Sequence, residues 1–187
     1  MERTGGTKGE KPMDRRVKYT RQVLRQSLLA LMKELPVGRI TVTSLCDRAD
    51  VNRNTFYVHY GSPMDVLAEI EDALILDIQQ SLECLLEVDN EHAMLVEILR
   101  TIERNGELCR VLFSETGDAG FLSRILAIAH DRSMAAWRKA KPRLEPEQME
   151  MLYAFFSHGS AAVIRRWVTQ DEHLPAPELA AFLQQLL

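Results

Sequence analysis

The stretch from Thr43 to Leu67, TSLCDRADVNRNTFYVHYGSPMDVL, constrains the chain more than any other. It reads as two short helices, a tight turn between them, and the start of a third. Thr43 is the expected N-cap of the first helix, because a threonine hydroxyl satisfies a free backbone N–H there. Ser44 to Ala49 follows, with Leu45 and Ala49 on one face at i, i+4. Asp50-Val51-Asn52 is the turn, and Asn52 suits the left-handed or capping geometry a short turn needs. Arg53 to Tyr60 is the second helix, with Phe56 and Tyr60 facing inward. Its other face carries Arg53, Asn54, Thr55, Tyr57 and His59, side chains that hydrogen-bond phosphates and base edges. This is a helix-turn-helix, whose second helix reads a major groove.

Over Ile40 to Leu67 the chain resembles the DNA-binding half of the TetR family of transcriptional regulators. The residues that carry the resemblance are Ile40-Thr41-Val42, Ala49-Asp50-Val51, Thr55-Phe56-Tyr57, His59-Tyr60 and Gly61-Ser62. The block is ungapped and in order. One position departs from the pattern: where the family usually has a Lys able to contact a phosphate, this chain has Pro63. Proline suits the first position of a helix, so the fold stands and one phosphate contact is missing. The resemblance implies backbone contacts from Thr43, Tyr57, His59 and Tyr60, and base contacts from Arg53, Asn54 and Thr55.

The chain has 187 residues, 46% apolar and 27% charged, the balance of a globular protein with one or two domains. Strand-type alternation is scarce, so the expected class is all-α, with about nine helices. The expected organisation is a polar tail over 1–16, a helix-turn-helix domain over 17–62, and a helical regulatory and dimerisation domain over 63–187. No apolar run reaches the ~18 residues of a membrane helix, and no leader is evident, so the expected location is cytoplasmic. Cys46, Cys84 and Cys109 are odd in number and widely spaced, which fits a reducing compartment. Net charge is −4, but it is unevenly spread: the segment through Tyr60 carries +6 and the remainder −10. A basic end on an acidic body draws DNA to that end.

Thr20 to Glu34 is the expected first helix, closed by Pro36 and Gly38. A long amphipathic helix is expected from Pro63 to about Val88, followed by helices over His92–Asn105 and Leu108–Phe113. One uninterrupted helix is expected from Ala119 to about Ala140, then another over Glu147–Val168 and a short last one. The Glu147–Val168 helix carries Leu152, Phe155, Gly159, Ala162, Val163 and Trp167, with small residues that let a second helix approach closely. With Leu179 and Phe182 of the last helix, these are the expected homodimer interface, a four-helix contact under two-fold symmetry. The last third of the chain is also similar to the TetR subgroup that includes regulators of dihydroxyacetone kinase.

The family resemblance further implies a pocket for a small-molecule effector in the second domain. Met94, Phe113, His130, Trp137, Tyr153 and Phe156 are the candidates to line it. Catalysis finds little support: there is no Gly-rich phosphate loop, CxxC or HExxH. His92, His130-Asp131 and Asp171 stand in the order of a metal-dependent phosphohydrolase, without constrained spacing. That leaves a remote enzyme reading beside the main one, in which no catalytic residue, metal or cofactor is expected. The expected partners are double-stranded DNA, a second copy of the chain and an effector, and not a membrane. A third reading keeps the helical dimer but has it act through a partner protein, with weak DNA binding.

Overall fold

A computed structural model describes residues 12–83, 91–118, 120–128, 130–170 and 174–186. Among them all regular structure is helical. The chain divides into two compact units, one ending at Ala68 and the other beginning at Glu69.

The first unit begins with α1, Pro12–Met32. The helix therefore starts inside the stretch expected to be tail; residues 1–11 of that stretch lie outside the described residues. A 3-10 turn, Val37–Arg39, follows Pro36. Then come α2, Val42–Ala49, and α3, Arg53–His59. The next helix, α4, spans Pro63–Glu83 and runs on into the second unit.

The core of the first unit is assembled from single faces of these helices. Leu24, Leu28 and Met32 of α1 are fully buried, as are Leu45 of α2 and Phe56 of α3. Cys46, Ala49, Tyr60, Val66 and Leu67 complete it. α1 packs on α2, and α2 on α3. Phe56 is the anchor of α3: on a helix of 7 residues, too short to be stable alone, burial of one ring fixes both position and rotation.

The second unit contains the rest of α4, then α5 (Glu91–Arg104), α6 (Gly106–Leu112), α7 (Phe121–Ala127), α8 (His130–Ala140), α9 (Pro146–Thr169) and α10 (Ala176–Gln184). The expected end of α4 near Val88 falls outside the described residues. The single helix expected over 119–140 is two helices. Its interior has no proline or glycine after Gly120, so periodicity gave no sign of the break. α5 packs on α10, and α6, α7 and α8 pack on α9. Hydrogen bonds pin these contacts: Tyr153 donates to the Leu126 carbonyl at 3.0 Å, Arg110 Nε to the Val168 carbonyl at 3.1 Å, and His92 bonds Gln184 at 2.7 Å.

Candidate nucleic-acid interface

The start of α2 is set by a reciprocal pair. Thr41 Oγ1 accepts from the Ser44 backbone N–H at 3.1 Å, and Ser44 Oγ accepts from the Thr41 N–H at 3.1 Å. Two otherwise free donors are thus satisfied together, a capping box closed by serine. The cap is Thr41, not Thr43. Thr43 lies within the first turn of α2 and is exposed, so its hydroxyl is not engaged in starting the helix.

The turn has a matching division of labour. Asp50 takes the left-handed conformation, at φ 50°, that ends α2. Aspartate tolerates this region better than most side chains do. The Val51 N–H then reaches the Cys46 carbonyl at 3.0 Å. Asn52 caps α3, its Oδ1 accepting from the Asn54 N–H at 2.8 Å. Of the two geometries Asn52 could have served, it takes the capping one.

α3 therefore leaves its core side to Phe56 and presents the opposite side to solvent. Arg53, Asn54, Thr55, Tyr57 and Val58 are exposed, and His59 is half-buried. Tyr57 stands edge-on to Phe56, with centroids 5.6 Å apart, and keeps 59% of its surface exposed. Tyr60 differs from its neighbours: its side chain is buried, its ring is 5.9 Å from Phe56, and the Arg21 guanidinium lies 5.8 Å over it. Tyr60 is thus a core residue first, which limits it as a phosphate contact.

The entry to α4 is closed by its own sequence. Asp65 Oδ2 accepts from the Gly61 and Ser62 N–H groups at 2.7 and 3.0 Å, and Ser62 Oγ donates to Oδ1 at 3.1 Å. These bonds, the Gly61 one first, hold the Asp65 carboxyl below the usual carboxylate range. Pro63 adds no N–H at all. The backbone donors before α4 are thus partly occupied by an internal anion.

Residues 89–187 match the TetR-type family model described as a transcriptional regulator C-terminal region. The chain belongs to the TetR family of transcriptional regulators. Its fold is similar to that of a TetR transcriptional regulator from Streptococcus agalactiae 2603V, at 22% identity and TM-score 0.71 over 93% of this chain and 96% of that one. A transcriptional regulator from Aquifex aeolicus VF5 follows at 19% identity and TM-score 0.60, over 89% and 96%. The dihydroxyacetone kinase operon activator DhaS shares the fold at 16% identity and TM-score 0.56, over 89% and 93%. The likeness to DhaS agrees with the subgroup resemblance in the sequence and is one of fold. No curated protein matches the chain.

In the second unit of this TetR-family regulator, the six candidate pocket residues do not all converge. Trp137 is buried with Met134 and Met149, and Tyr153 and Phe156 pack against that cluster. His130 stands edge-on to Tyr153 at 4.5 Å. Phe113 pairs instead with Phe121, at 5.9 Å, and Met94 is buried on α5 outside that cluster. His130 Nδ1 lies 2.9 Å from Asp131 and Nε2 3.3 Å from Glu150. Bonding to Asp131, then to Glu150, raises its pKa above the ordinary histidine value. His92 is engaged with Gln184 rather than with this group. Among the described residues no three His, Cys, Asp or Glu side chains form a metal site; Asp171 lies outside them.

The expected dimer residues divide by burial. Phe155 is 78% exposed, and Gly159, Ala162 and Phe182 are also exposed. Leu152 and Val163 are half-buried. Trp167 and Leu179 are core residues of their own unit. Trp167 is 4% exposed and donates from Nε1 to the Leu174 carbonyl at 2.7 Å. Leu179 is buried on α10, which packs on α5. Helical periodicity marked both as apolar but did not say which neighbour they meet.

Two features escaped the sequence reading. Glu71 of α4 is buried and paired with Arg124 of α7, which also reaches Asp118 at 3.1 Å. Only the fold brings those three together. Val58, exposed on α3, follows Asn54 by four residues, and that spacing was visible. No described helix is long and apolar enough to cross a membrane.

Proposed function

We propose that this TetR-family regulator acts as a homodimer on a palindromic operator, with α3 of each protomer in a major groove. The observation that carries the reading is the division of α3, where one buried ring, Phe56, turns Arg53, Asn54, Thr55 and Tyr57 outward. These lie in a segment of net charge +6. Arg53, Asn54 and Thr55 read bases; Tyr57, His59 and Thr43 contact the backbone. The exposed Phe155, Gly159 and Ala162 of α9, with Phe182 of α10, meet their counterparts in a second copy. A small-molecule effector in the second unit favours one separation of the two reading heads over another.

The test is selection of binding sites from random duplex DNA with purified protein, at a stated salt concentration. The expected result is an enriched palindrome. On that operator, Tyr57→Phe weakens binding to every sequence alike. Asn54→Ala relaxes the preference at one position per half-site by about 1–3 kcal/mol. An intact dimer that enriches no sequence would overturn the reading.

Pro63 and the Asp65 carboxylate favour a second reading. Together they remove a phosphate contact from the start of α4 and place an anion there. In that reading the dimer regulates through a partner protein, and a pull-down with the intact dimer would recover that partner.

A further inference from the structure

Val58 is 76% exposed in the middle of the outward face of α3. A β-branched side chain is a poor choice for a solvent-facing helical position: it loses rotamer freedom and gains nothing from burial. Single exposed apolar residues are ordinary on protein surfaces; the position of this one is what carries weight. At about 100° per residue, Asn54 and Val58 each lie about 160° around the axis from Phe56. They are i, i+4 neighbours at the point of α3 farthest from the core. Thr55 and Tyr57 flank them, and Arg53 precedes them.

An A·T pair presents two things in the major groove: the N7 and N6 atoms of adenine, which fit a bidentate Asn, and the C5-methyl of thymine, which fits an apolar group. Asn54 followed one turn later by Val58 offers both partners side by side. We infer that Val58 is a specificity-determining residue that packs on a thymine C5-methyl group in each half-site, beside the base edge read by Asn54. The inference rests on the DNA-reading role proposed for α3. Duplex DNA is the occupant because this one exposed aliphatic group stands beside Asn54, Thr55 and the hydroxyl-bearing Tyr57, within the segment of charge +6. An apolar protein partner would need a wider apolar patch.

Deoxyuridine substitution tests this directly, since it removes only the methyl group. In the selected operator, each thymine is replaced in turn and affinity is measured for the wild type, Val58→Ala, Val58→Thr and Asn54→Ala. One thymine per half-site should be methyl-dependent for the wild type, by about fourfold per half-site. At that position Val58→Ala should bind the thymine and uracil operators equally. Val58→Thr, which keeps one methyl, should retain part of the difference, and Asn54→Ala should keep the methyl effect while losing preference at its own base. Equal methyl dependence in wild type and Val58→Ala, or none anywhere, would overturn the role of Val58 while leaving the regulator reading intact. Failure to enrich any operator would overturn both. Exposure of the side chain makes Val58→Ala safe for folding, and an unchanged thermal midpoint confirms it.

Discussion

Arg124 of α7 donates to Glu71 of α4, a carboxylate that is 5% exposed and whose second oxygen, Oε1, has no hydrogen-bond partner among the described residues. Burial raises the Glu71 pKa, and the Arg124 charge pulls it only part of the way back. A folded-state pKa above the unfolded one favours the protonated folded form. The associated stability is therefore complete below the ordinary glutamate value and is lost as pH rises through the raised one. Glu71→Gln should flatten this loss, seen as a smaller fall of the thermal midpoint across the range just above the ordinary value. An identical pH profile in the variant would show that Glu71 ionises as it does in the unfolded chain.

The capping box separates two threonines that the sequence alone makes look alike. Thr41→Ala should destabilise the first unit by about 1 kcal/mol, because the Ser44 backbone N–H loses the Thr41 Oγ1 that accepts from it. Thr43→Ala should leave denaturant stability within error and weaken binding to all DNA sequences alike. If Thr43→Ala left affinity untouched, the proposed approach of α2 to the phosphates would be wrong.

Burial gives opposite expectations for two aromatic residues on α9. Phe155→Asp should convert the dimer to a monomer of native helix content, read by sedimentation and circular dichroism. Trp167→Ala should destabilise the fold itself by about 3–5 kcal/mol, since its ring is buried and its Nε1 bond to Leu174 would also be lost. A Phe155→Asp protein that stays dimeric would move the interface away from this face.

The His130 imidazole faces Asp131, Glu150 and the Tyr153 ring. Its raised pKa means that the stability it contributes is present below the ordinary histidine value and lost as pH rises through the raised one. NMR titration should place its pKa above the ordinary value. Asp131→Asn should return it most of the way and Glu150→Gln less, following the order of the two hydrogen bonds. A wild-type titration at the ordinary value would show that neither carboxylate holds the ring in solution.

The all-α class, the helix-turn-helix and the family resemblance were legible in the sequence because each depends on short-range order. Phe56 faces the core as its spacing indicates, Pro63 opens α4, and Asn52 caps α3. Such features need only a few consecutive residues and the helical period. The Thr41 cap belongs with these local features, since Ser44, three residues on, closes the box with it. Tertiary structure decided the choice between equals. Trp167 and Leu179 are buried within the protomer while Phe155 stays outside, although all three are apolar at helical spacing. The meeting of Glu71 with Arg124 arises from packing between elements distant in sequence. Periodicity shows that a helix has an apolar face, whereas the neighbour that covers it is fixed only when the chain folds back on itself.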